Sequence, residues 1–156
     1  MIKRLILTAL LTFSGPAYAD FASGNAAAES GDFKQAFKLW METATAGDAK
    51  SQNAIGALYA NGDGIPKNET EAIRWFRMAA EQGYSHSQYN LATMYEVGAG
   101  TTTNLTEAIK WYQLAADQGD RASLLNLGIL YAKEGKFSDA EPLFIRYLII
   151  SKNAVG

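Results

Sequence analysis

His86 is the only histidine in the chain, and Ser85 and Ser87 flank it. A serine beside an imidazole suggests a nucleophile and its base. In a helix, however, adjacent residues project in different directions, so neither hydroxyl could face the ring. A single histidine also removes paired-imidazole metal motifs. The 156 residues contain no cysteine, which removes thiol catalysis, iron–sulfur clusters, zinc–thiolate sites and disulfides. Two glycine-rich runs, NGDGIPKN at 61–68 and VGAGTTTN at 97–104, could suggest a phosphate cradle. Neither carries the lysine and hydroxyl residue with which such a loop ends. There is no G-x-S-x-G and no S-x-x-K. The 16 carboxylates are spread along the chain, and Glu69 and Glu71 sit where a helix should start. These residues predict no catalytic group, no metal ligand and no cofactor.

The N-terminus has a different composition. Lys3 and Arg4 precede an apolar run from Leu5 to Phe13, and Ala17-Tyr18-Ala19 follows. This is the three-part layout of a secretory signal peptide, with cleavage expected after Ala19. The apolar run is too short to span a bilayer, so no stable membrane insertion is expected after cleavage. Without Lys3 and Arg4 the chain holds 12 basic and 16 acidic residues, a net charge of −4. No basic stripe is present, so nucleic acid is not an expected partner.

What would position any functional side chain is a repeat of 36 residues. "EAIRWFRMAAEQG" at 71–83 returns as "EAIKWYQLAADQG" at 107–119. Gly47, Gly83 and Gly119 keep this interval, as do Tyr59, Tyr95 and Tyr131, and so do Trp75 and Trp111. Such a period is the signature of a stacked-repeat architecture. Within a copy, Ala72, Trp75, Phe76, Ala79 and Ala80 fall on one face of a 3.6-residue helix. On the other face Arg77 and Glu81 form an i,i+4 pair. Gly83 is placed to stop the helix. Asn68 to Glu71 and Asn104 to Glu107 read as capping boxes. The same residues are N-x-T sequons, which the cap already explains. Gly56 sits mid-helix and implies a close crossing, repeated by Gly128 with Ala92 between them. The spacing predicts helices at about 21–30, 32–46, 48–61, 68–82, 84–97, 104–118, 120–133 and 136–151. The outer copies lack the G-x-G loop, as the ends of a stack require. The Trp and Tyr ladder is placed between helices, so it reads as core rather than as a carbohydrate platform.

These residues resemble the Sel1-like repeat (SLR), a relative of the tetratricopeptide repeat. Gly56, Tyr59, Gly62, Gly64, Ala72, Trp75, Phe76, Ala79, Ala80 and Gly83 fit its pattern. Leu91, Tyr95, Gly98, Gly100, Ala108, Trp111, Tyr112, Ala115, Ala116 and Gly119 fit it again. Asn replaces the family Asp, Ala92 the Gly and Thr101 the Val. The resemblance implies an all-α fold, a right-handed α/α solenoid of about four antiparallel helix pairs. Its repeats would cover about 21–46, 47–82, 83–118 and 119–151, within a domain at 20–156 that follows the leader at 1–19. The resemblance also implies a scaffold or adaptor that binds a protein partner, and the chain is expected to be a monomer.

By analogy with tetratricopeptide repeats, the concave face would present Lys50, Asn53 and Asn61 from one copy. His86, Tyr89, Thr93 and Glu96 would follow from the next, then Leu125, Ile129 and Lys133. Leu125 and Ile129 are either groove residues or covered by the last helix. The leader directs the expected site of action to the periplasm, with secretion ranked lower. Beside the adaptor reading stand an immunity protein that neutralises a delivered toxin and a cell-wall or small-molecule binder with weak hydrolase activity.

Overall fold

The 36-residue period becomes eight α-helices among the described residues, 20–153 of a computed structural model. They are α1 (Phe21–Glu29), α2 (Phe33–Thr45), α3 (Ala49–Asn61), α4 (Glu69–Glu81), α5 (Ser85–Val97), α6 (Leu105–Asp117), α7 (Arg121–Lys133) and α8 (Phe137–Asn153). The leader expected at 1–19 lies outside the described residues. No described helix is long and apolar enough to cross a membrane. Consecutive helices pack as pairs, and each pair packs on the next.

The helix starts are written locally. Asp20, Asp32, Asp48, Asn68, Asn104 and Asp120 each accept a hydrogen bond from the backbone N–H three residues on, which satisfies one orphan donor of the first turn. The capping boxes are only half formed. Asn68 accepts from the Glu71 N–H and Asn104 from the Glu107 N–H, both at 3.1 Å. The returning bond is absent, because the Asn68 N–H donates to the Tyr59 carbonyl and the Asn104 N–H to the Tyr95 carbonyl, both at 2.8 Å. Glu71 instead accepts from Arg74, and Glu107 from the Trp111 indole. The expected Arg77–Glu81 pair does not form either. Arg77 donates to the Tyr95 hydroxyl on α5 and lies over that ring. A partner in the next helix pair displaces a partner on the same helix.

Each helix pair crosses at a small residue. A Cβ on Gly56 would stand 2.7 Å from the Phe76 ring, and one on Gly128 2.7 Å from Phe144. Gly24 lies against Trp40 in the same way, so α1 and α2 repeat the crossing of the unit, although α1 has 9 residues where α3 has 13. Ala92 and Tyr112 hold this register in the third pair. The helices carry buried polar side chains as well. Gln52 donates to the Ala44 carbonyl and Gln88 to the Ala80 carbonyl, each at 3.1 Å. Gln82 in turn donates to Gln52, and Gln118 to Gln88. Each of Gln52 and Gln88 gives a second hydrogen bond to a helix C-terminal carbonyl that already accepts from the Gly47 or Gly83 N–H, and so ties one helix pair to the next. Leu124 stands where the third glutamine would be. There Arg146 of α8 reaches across and donates to the Ala116 carbonyl at 2.8 Å.

The core divides in two. Ala36, Trp40, Ala44, Ile55, Leu58 and Trp75 form an N-terminal cluster. A larger one runs from Ala72 and Phe76 through Leu91, Trp111 and Tyr112 to Leu143. Helix α4 feeds both, with Trp75 facing one way and Phe76 the other.

Candidate functional site

The first helices of the pairs, α3, α5 and α7, carry the side chains expected to meet a partner. Asn53 is half-buried and ties α3 to α5. Its carbonyl oxygen accepts from the Ser87 hydroxyl at 2.8 Å and from the Asn90 amide at 3.0 Å. Thr93 and Glu96 converge on Tyr112, which rises from α6 behind them. The Tyr112 hydroxyl donates to Glu96 at 2.8 Å, lies 3.0 Å from the Thr93 hydroxyl, and accepts from Asn126 of α7 at 3.1 Å. Tyr89 lies half-buried against Tyr112, with ring centroids 5.9 Å apart. Asn61 is tied to Asp63 at the end of α3. Lys50, His86 and Lys133 are exposed, and His86 stacks on Tyr84.

Leu125 is half-buried and Ile129 is 38% exposed. Helix α8 turns Leu143 and Phe144 inward onto α7, on the Gly128 side, and leaves Ile129 open. Among the described residues no group of three or more His, Cys, Asp and Glu side chains is placed to hold a metal ion. The repeat-signature residues take structural places. Ala72, Trp75, Ala80, Tyr95, Ala108, Trp111 and Ala116 are buried, while Tyr59 and Tyr131 pack half-buried against the core.

Three participants were missed from sequence. Asn90 and Asn126 lie one position beyond the expected row, and their spacing of 36 residues was the available signal. Tyr112 read as core because its ring is core. Only its hydroxyl belongs to this surface.

Burial pushes the Tyr112 phenol up to about 12, and the Glu96 carboxylate adds to the shift, while the Thr93 and Asn126 hydrogen bonds oppose it. The native phenol therefore holds its proton at pH values where an unfolded tyrosine, near 10, has lost it. The sign follows from linkage: this contribution is intact below pH 10 and is lost as pH rises towards 12. Unfolding midpoints in urea should fall across that window, and Tyr112→Phe should flatten that part of the fall.

The start of α5 breaks the rule of its neighbours. Tyr84 occupies the register of Asp48 and Asp120 but makes no side-chain cap. Instead it offers its ring to His86. Tyr84→Asp should restore the cap and raise stability by about 1 kcal/mol, measured by urea titration.

Residues 49–84 and 85–120 each match the Sel1 repeat family. The two matches begin at the first residues of α3 and α5. The chain is a Sel1 repeat protein. It resembles the solved Sel1 repeat protein from Oxalobacter formigenes at 33% identity and a TM-score of 0.78, over 82% of this chain and 54% of that one. A protective antigen present in uropathogenic Escherichia coli strains and displaying an SLR fold is similar at 30% identity and a TM-score of 0.76, over 84% of this chain and 31% of that one. This Sel1 repeat chain thus spans about half the length of the first and under a third of the second. MamA shares the fold alone, at 15% identity and a TM-score of 0.51, over 85% of this chain and 96% of that one. No curated protein matches the chain. The Sel1 repeat is typically a fold for protein–protein interaction and is usually non-catalytic.

Proposed function

We propose that this Sel1 repeat protein is a non-catalytic scaffold or adaptor of the bacterial periplasm, and that it binds a protein partner on the concave face lined by α3, α5 and α7. The observation that carries this reading is the graded row along those helices. It begins with polar Lys50 and Asn53, passes the Thr93–Glu96–Tyr112–Asn126 node, and ends at open Ile129 beside Leu125. Asn90 and Asn126 each commit the amide nitrogen to a neighbour, and among the described residues neither amide oxygen accepts a bond. A peptide backbone brings N–H donors for such oxygens, and an apolar side chain on the peptide would anchor at Ile129. The uncapped, aromatic start of α5 fits this reading, since local rules are most often broken where function needs another residue. The periplasmic assignment rests on the N-terminal leader pattern.

The test is capture from envelope extract on the immobilised protein, identified by mass spectrometry, with Leu125→Asp/Ile129→Asp run beside it. Tyr89 is a poorer probe, because its ring packs on Tyr112 and its loss would report on packing. Both forms should show the same helical circular dichroism. A partner held by the wild type and lost by the variant is the expected result. A partner held equally by both would overturn the assignment to this face.

A further inference from the structure

The first and last described helices present different outward faces. At the N-terminal end, Ser23 and Ala26 are exposed. They occupy the register that Ile55 and Leu58 fill against α2, so the outward face of α1 carries small and polar groups. At the C-terminal end the opposite holds. Ala44, Ala80 and Ala116 are at most 2% exposed because the following helix pair covers them. Their counterpart in α8 is Leu148, which is 62% exposed. Phe33 and Glu69 are covered by the loops at Gly64 and Gly100, whereas their counterpart Phe137 is 68% exposed. Phe137, Glu141, Phe144, Ile145 and Leu148 line one shallow groove. Lys152, one turn past Leu148, extends the same stripe. The helix thus carries an apolar face of the kind that packs on another helix, and it carries it outward.

The charges on the stripe indicate what covers it. Glu141 stands towards its start and Lys152 at its end, three turns apart, with Ile145 and Leu148 between them. Both charged residues are exposed, and neither pairs with another described residue. We propose that α8 is a dimerisation face, on which a second copy of this chain packs its own α8 antiparallel about a two-fold axis. In that arrangement Glu141 of each copy faces Lys152 of the other, and Ile145 faces Leu148, so one patch complements itself. The apolar residues supply the affinity and the two ion pairs set the direction and register. A head-to-tail stack is disfavoured, because it would set these large side chains against Ser23 and Ala26.

Sedimentation equilibrium of the full chain reads the outcome directly, against a monomer of 16.9 kDa. The expected result is the mass of two chains. Leu148→Glu should reduce it to one, with unchanged helical circular dichroism. Glu141→Lys should weaken association at least tenfold, because it sets lysine against lysine. Adding Lys152→Glu to that variant should restore the dimer, which a merely structural role for either residue would not do. A monomer at all concentrations up to the millimolar range would overturn the proposal and leave the face to a different partner. So would a dimer that survives Leu148→Glu, or a double exchange that fails to restore association.

Discussion

Trp75→Ala is expected to destabilise the fold by about 3–5 kcal/mol. The indole is 4% exposed and forms the α4 wall of the N-terminal cluster, against Ala36, Trp40, Ala44, Ile55 and Leu58. The surrounding residues sit on α2 and α3, which are held in place by their own helix pairs, so the cavity cannot collapse fully. In a stack whose stability is a sum of neighbour terms, the loss should appear first where the contacts were. Amide exchange should accelerate in α2 and α3 more than in α7 and α8, and the urea midpoint should fall. A companion pair of variants separates volume from hydrogen bonding. Among the described residues the Trp75 Nε1 has no partner, whereas the Trp111 indole donates to Glu107 at 3.0 Å. Trp75→Phe should therefore cost less than Trp111→Phe. The reverse order would show that the two indoles are held by packing differences rather than by this bond.

Gly100→Ala should cost roughly 2–5 kcal/mol, combining two penalties at one position. The backbone is left-handed, with φ at 70°, which costs a residue with a Cβ about 1–2 kcal/mol. The new methyl would also stand 2.6 Å from the Glu69 carbonyl carbon, and backbone cannot step aside as a side-chain tip can. Overpacking of this kind costs about 1–3 kcal/mol. Gly83→Ala isolates the first penalty. Its φ is 88°, but among the described residues nothing beyond its own chain neighbours lies within 4 Å of the added methyl. Urea titrations of the two variants should differ by the cost of the clash alone. Equal losses would mean that the loop yields freely and that its contact with the preceding helix pair contributes little.

These two positions also show where sequence reading works and where it stops. That Gly100 lies in a tight turn was legible, because positive φ is a property of one residue and its neighbours. That it also seats a loop on the start of α4, thirty residues upstream, was not. The capping asparagines were legible for the same local reason, and the second half of each box was not, since the competing carbonyls of Tyr59 and Tyr95 come from the preceding helix. Arg77 gave up an i,i+4 partner for Tyr95 on the next pair. Of the expected partner-facing row, Asn53, Tyr89, Thr93 and Glu96 are brought into contact with neighbouring helices, while Lys50 and Lys133 are exposed and His86 meets only the Tyr84 ring beside it in the sequence. The node itself depends on the Tyr112 hydroxyl and on Asn126, which no pattern within one helix would join.

The sequence by itself determined the eight helices, their ends and the unit that repeats. Apolar spacing at three and four residues, short polar caps and terminal glycines act within a single helix, and a period of 36 copies them down the chain. Only the tertiary structure decided which side chains meet across the stack. Gln52, Gln88 and Arg146 find helix-end carbonyls, Thr93, Glu96 and Asn126 find one phenol, and α8 keeps an apolar stripe turned outward. In the sequence that stripe has the same period as a core face. Whether a helix face is core depends on whether another helix arrives to cover it, and that is a property of the packed stack and not of the helix.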